Sequence, residues 1–304
     1  MKLGIMTGAI PDPAASIDNF IALAGEVEAR GFASLWLANT FGHDAVTAMA
    51  MAGRETKTIE VGTAVTPIHP RHPSALAQQA LTASALARGR FTLGVGLSHK
   101  VVTEDTLGLS YAQPAKTMRE YLEILMPLLA HETAKFKGDL YRSKIAIAVN
   151  DAANPVPVVV AALGPMMLEL AGRYTDGTVL WMTGPATIAD HVAPVIAAAA
   201  KEAGRPAPRV IAGFPVVLTD DVEGARARVD EILQIYGQLP SYRAMMDREG
   251  AANPSDIALI GNAAALDARI DRIAASGATE LIAVLLETDP GAKARTMDYL
   301  QGKL

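Results

Sequence analysis

Apolar and polar positions along this chain alternate between a strand-like run and a helical period almost from end to end. Lys2–Thr7 reads as a first strand, and residues 15–30 then place apolar side chains at helical spacing until Gly31 stops them as a C-cap glycine does. Residues 33–38 predict a second strand, 43–53 a second helix and 59–64 a third strand. The next helix has Pro73 in its first turn, Leu76, Ala80, Ala83 and Ala87 along one face, and Gly89 just past its end. In the fourth strand, Phe91–Gly96, bulky Phe91, Leu93 and Val95 alternate with Thr92, Gly94 and Gly96. One face is nearly bare, so a ring or a backbone can approach it closely.

Beyond a fourth helix at 114–132, two β-prone segments at 134–141 and 144–149 predict a surface hairpin or excursion. Strands five to seven follow at 156–162, 177–181 and 209–218, each with its helix, at 165–174, 185–203 and 222–235. The rhythm breaks at 237–261, where Pro240, Gly250, Asn253 and Pro254 punctuate a short helix around 242–248. A helix at 263–276, an eighth strand at 280–286 and a closing helix at 290–300 complete the chain. Eight strands alternating with helices predict an α/β fold, a (β/α)8 TIM barrel with a helical insertion before the last βα unit. A doubly wound sheet competes, but the chain lacks that fold's nucleotide fingerprint. No linker or low-complexity segment divides it, so a single domain over 1–304 is expected.

Composition narrows the function. Hydrophobic residues make up 50% of the chain, yet no unbroken apolar run reaches the roughly 18 residues of a membrane span. The first strand begins directly at the start, without the pattern of a secretory signal, and the cytoplasm is the expected location. The absence of cysteine excludes disulfides, thiolate nucleophiles and cysteine-bound metals. A net charge of −5 offers no broad attraction to nucleic acid.

In a barrel, chemistry belongs to the loops after the strands. His43, His69, His72 and His99 fall there, whereas His131 and His191 fall in or at the ends of helices and read as surface residues. His69 and His72 have a ligand-like separation, but prolines follow both and no carboxylate adjoins them, so no metal is expected. Arg71 between them suits a phosphate or carboxylate contact, or a solvated surface. The turn 161–167 runs from strand directly into helix, with Gly164 allowing close approach and free amides beyond it that would suit an anion. Asp12, Asp44, Glu104 and Asp105 lie near the same mouth without forming a matched pair. No nucleophile elbow, P-loop or dinucleotide fingerprint is present.

Four stretches in order, Gly31-Phe32-Ala33-Ser34-Leu35-Trp36, GTAVTP at 62–67, RFTLGVGLS at 90–98 and LGPMMLELAGRYTDGT at 163–178, carry a resemblance to the luciferase-like monooxygenase superfamily, and within it to the coenzyme F420-dependent oxidoreductases. The resemblance implies a barrel that holds a deazaflavin at its C-terminal mouth. It also implies a non-proline cis peptide behind the ring, which here would be Ala64–Val65. Asn39, Thr63, Gly96 and Ser98 match positions around the cofactor, and Leu163, Gly164, Pro165, Met166 and Met167 match its phosphate-binding segment. Relatives that oxidise sugar phosphates have an acid–histidine pair where this chain has Asn39-Thr40, and a glutamate where it has His99. A glucose-6-phosphate-type reaction is therefore not expected, and His99 becomes the leading proton donor or acceptor.

The implied activity is hydride transfer between deazaflavin C5 and a small molecule with an activated C=C, a C=N or a carbonyl/alcohol. Two alternatives are an FMN-dependent monooxygenase or reductase of the same fold and a non-catalytic cofactor-binding protein. The resemblance also favours a homodimer. The insertion, with Tyr242, Met245 and Met246, reads either as a lid or as a surface excursion packed by methionines.

Overall fold

Eight parallel strands close into a barrel in the structure, a computed structural model that describes residues 1–10, 15–152 and 155–304. Strand β1 (Lys2–Thr7) pairs on one side with β2 (Ser34–Leu37), followed by β3 (Glu60–Thr63), β4 (Phe91–Gly96), β5 (Val158–Val160), β6 (Gly177–Trp181) and β7 (Arg209–Leu218). Strand β8 (Glu280–Leu285) pairs with both β7 and β1, which closes the ring. Leu35, Val61, Phe91 and Leu93 on the strands are fully buried, as are Leu76, Leu81 and Leu125 on the surrounding helices. Side-chain caps start several of these helices: Ser16 accepts the Asn19 amide, Asp44 the Thr47 amide and Asn262 the Ala265 amide.

The N-terminal end of the barrel is closed by charge. Arg209, at the start of β7, spans to Glu60 at 2.7 Å and to Glu280 at 2.8 Å, the first residues of β3 and β8. Glu280 also accepts from the Ser34 hydroxyl and from Trp36 Nε1 at 3.2 Å, and Thr92 donates to Glu60 at 2.6 Å. The Arg209 guanidinium lies 5.8 Å from the Trp36 ring centre. Every buried charge in this plug therefore has a partner of opposite sign, the condition on which such charges are tolerated.

Several elements depart from the sequence reading. The helix expected over 185–203 is three pieces, Pro185–Thr187, a π turn at Ile188–Val192 and Ala193–Glu202. Pro194 near that turn has no N–H to give to the preceding one, which favours the wider spacing. A second π turn, Val102–Thr106, follows β4 in a stretch that carried no periodic signal. The predicted hairpin is present as Ala134–Lys137 paired antiparallel with Arg142–Ile145. The insertion begins earlier than expected and holds helices Gln234–Gln238, Pro240–Glu249 and Pro254–Ile257, then a strand, Leu259–Gly261, that pairs with the end of β7.

Candidate active site

The C-terminal ends of β3 and β4 build the floor of the site. The Ala64–Val65 peptide is cis, and the chain then re-pairs with β4 through Thr66–Pro67. The bare face of β4 is what admits this path. A Cβ on Gly94 would lie 1.8 Å from the Thr63 carbonyl oxygen, and one on Gly96 would lie 2.5 Å from Val65 Cγ2. What approaches the glycines is therefore backbone and the Val65 side chain. Thr63 is spent on the same junction: its hydroxyl donates to the Gly94 carbonyl at 2.8 Å and accepts the Gly94 amide at 2.9 Å. It is fully buried and does not wall the cavity, in contrast to the position around the ring that the resemblance implied.

Two cavities of about 530 and 230 Å3 open above this floor, and a third of about 640 Å3 adjoins them at His99. The central one has Asn39, Ala64, Val65, Ser98 and Trp181 in its wall. The small one extends past Gly96 to Leu163, Gly164 and Met167. The large one runs toward the first helix between Phe20, Leu23, Leu37 and Leu239. His99 is the residue that walls all three. Its ring is half-buried, 5.7 Å from that of Tyr242, and burial lowers its pKa from the ordinary value.

Aromatic rings from the insertion continue the wall. Tyr242 meets Tyr236 edge to face at 5.1 Å, and Tyr236 meets Trp181 at 6.0 Å. Burial raises the pKa of both tyrosines, so each phenol is neutral. Tyr242 walls two of the cavities, whereas Met245 and Met246 are buried and wall none of the three. Tyr236 escaped sequence reasoning because it lies one residue before the break in rhythm.

The remaining candidates divide between the cavity and structural duties. Asn39 faces the central cavity while its Oδ1 accepts the Ala45 amide at 3.0 Å. Arg71 also faces it but is paired with Asp44. Against the cost of burial, hydrogen bonds from Thr47 and the Arg71 charge hold the Asp44 carboxyl below its usual range. His69 stacks on Tyr111 at 5.5 Å; burial lowers its pKa, and neither ring nitrogen makes a hydrogen bond of ordinary geometry, although the Leu97 backbone partly offsets the shift. His72 caps the helix Pro73–Leu86, accepting from the Ser74 amide, and His43 is exposed at the edge of the large cavity. Glu104 accepts the Tyr111 amide at 3.3 Å, Asp105 is exposed, and Asp12 lies outside the described residues. Among the described residues no three metal-ligating side chains cluster.

The segment proposed for an anion starts the helix Pro165–Tyr174, with Gly164 at the N-cap and no side chain capping it. Leu163, Gly164 and Met167 reach the small cavity. Pro165 and Met166 do not, and Met166 is 65% exposed. His191, expected at the surface, is only 8% exposed, with Nε2 2.8 Å from the Leu163 carbonyl oxygen. Its helical position pointed to no such role, because the π turn that carries it left no mark in the apolar pattern.

Comparison with known proteins places the chain among relatives of the same fold. The family model described as luciferase-like monooxygenase matches residues 1–286. A 5,10-methylenetetrahydromethanopterin reductase of Methanolobus tindarius is 29% identical over 259 residues, covering 84% of this chain and 76% of that protein. An F420-dependent hydroxymycolic acid dehydrogenase of Mycobacterium tuberculosis is 31% identical over 227 residues, covering 69% of this chain and 62% of that protein. Among solved structures, an F420-dependent secondary alcohol dehydrogenase in complex with an F420-acetone adduct superposes with a TM-score of 0.82 at 18% identity, over 100% of this chain and 98% of that one. At that identity the likeness speaks to fold alone.

Proposed function

The chain belongs to the luciferase-like monooxygenase family, and we propose that within it the chain is a coenzyme F420-dependent oxidoreductase acting on a neutral, largely apolar small molecule. The observation that carries this reading is the position of His99 in the wall of all three cavities, two of which have the Ala64–Val65 floor. The residues present suit such a cofactor. The floor is lined by Ala64, Val65 and Gly96, small or apolar residues that suit a ring, and the uncapped helix start behind Leu163 and Gly164 offers amide donors to a phosphate. When bound, coenzyme F420 supplies or takes a hydride at its C5.

In this reading Ala64, Val65, Gly96 and Ser98 hold the ring, Asn39 borders it, and the 163–167 segment holds the phosphate, with Thr63 acting indirectly by fixing the floor. Tyr236, Tyr242 and Trp181 exclude water. His99 takes the hydroxyl proton as an alcohol is oxidised and returns it in the reverse direction. Its lowered pKa keeps the imidazole neutral near pH 7, the form that accepts. Phe20, Leu23, Leu37 and Leu239 in the wall of the large cavity support a largely apolar substrate body. A single domain over 1–304, a homodimer and a cytoplasmic location complete the proposal.

Fluorescence titration of the purified protein with F420 and, separately, FMN tests this. Selective F420 binding, followed by turnover of secondary alcohols, enones or imines, is expected. Selective FMN binding, or binding of neither, overturns the reading.

A further inference from the structure

Resting on the functional reading above, we propose that His191 is a positioning residue for phosphate binding, acting through the Leu163 carbonyl. His191 does not wall any of the three cavities. It sits in the π turn Ile188–Val192, is buried, and places Nε2 2.8 Å from the Leu163 carbonyl oxygen. A carbonyl can only accept, so Nε2 carries the hydrogen and donates. That requirement holds for the neutral Nε2–H tautomer and for the imidazolium alike.

The consequence lies in which end of the Leu163 peptide faces the anion. Leu163 and Gly164 border the small cavity, immediately before the uncapped start of the helix Pro165–Tyr174. A carbonyl oxygen turned into that cavity would present the negative end of its dipole to a phosphate. With the oxygen held by His191, a residue outside the cavity, the dipole points away and the donors of the helix start face the anion without opposition. Gln at this position would keep both a donor and its reach, whereas Asn would keep a donor but fall short.

The frame behind this contact is rigid. A Cβ on Gly172 would lie 2.4 Å from the Ile196 carbonyl oxygen, so Pro165–Tyr174 and Ala193–Glu202 meet at backbone distance. The helix pair fixes the direction of the phosphate helix, and His191 fixes the peptide that leads into it. A π turn is a frequent mark of a functional position, and here it accompanies the one histidine that reaches Leu163.

The test compares two ligands on the whole protein: F420 and its deazaflavin riboside, which lacks the phosphate arm. Dissociation constants come from fluorescence titration of the wild type, His191→Asn and His191→Gln. An Asn amide is too short to stand where Nε2 stands, whereas a Gln amide reaches it. His191→Asn is expected to weaken F420 about tenfold, the worth of one hydrogen bond and its unpaired acceptor, while riboside binding changes little. His191→Gln is expected to recover most of the loss.

Equal weakening of both ligands, unchanged F420 affinity in the Asn variant, or a Gln variant no better than Asn would each overturn the proposal. If the Asn variant does not fold, His191→Met takes its place: an F420-to-riboside affinity ratio about tenfold below wild type, recovered in the Gln variant, supports the role, and an unchanged ratio removes it. Failure of the wild type to bind either ligand overturns the functional reading itself, and so is distinguishable from failure at His191.

Discussion

At the scale of single residues, position matters more than residue type. Four histidines near one mouth looked alike in the sequence, and the structure gives them four different duties. His72 caps a helix, His43 is solvated, His69 is packed on Tyr111, and His99 faces the cavities. For His99→Asn, kcat is expected to fall about 100-fold or more, the usual worth of a positioned acid or base, while F420 affinity is retained. Stopped-flow or steady-state rates together with a binding titration check this. Burial lowers the folded-state pKa of His99 below its ordinary 6.5. Alcohol oxidation should thus stay level above neutrality and fall only as pH drops through that lowered value. Stability follows the same sign, because protons bind the unfolded chain first: the contribution of the buried neutral ring is complete above about pH 6.5 and declines in acid.

Among the elements, the junction of β3 and β4 is the most exacting. The alternation of bulky and small residues in Phe91–Gly96 was visible in the sequence, and so was the need for something to approach the bare face. What approaches is the Thr63 carbonyl oxygen, 1.8 Å from where a Gly94 Cβ would stand. Backbone cannot swing aside as the end of a side chain can. Gly94→Ala is therefore expected to cost about 3 kcal/mol, the upper range for overpacking, and to abolish cofactor binding. Thermal melting and F420 titration read both effects. Gly96→Ala, which meets the Val65 side chain instead, should be milder on the melting temperature. The π turns and the strand Leu259–Gly261 were not legible, because each depends on tertiary pairing rather than on a local period.

Over the whole molecule, the two ends of the barrel do separate work. The C-terminal mouth holds the cavities, and the N-terminal end holds the Arg209 plug between Glu60 and Glu280. Glu280 is almost fully buried, so Glu280→Gln leaves Arg209 short of a partner there. A loss of about 3 kcal/mol is expected, as for other broken buried pairs, with kcat/KM unchanged at temperatures where the protein stays folded. Chemical denaturation and steady-state kinetics on the same preparation check the two halves of that expectation.

The order of strands and helices and the barrel class were readable from the chain, because they follow from local periodicity, helix punctuation and the short-range geometry of βα units. The same holds for the Gly94 and Gly96 positions and for His99 after the fourth strand. The plug and the loop contact of His191 were not readable. Arg209 and Glu60 lie 149 residues apart, and Arg209 and Glu280 lie 71 apart, so nothing local couples them. Thr63 buried behind the floor, Tyr236 in the wall and His191 behind Leu163 share that cause. Which way each side chain faces is set by neighbours that are distant in sequence and meet only once the barrel has closed.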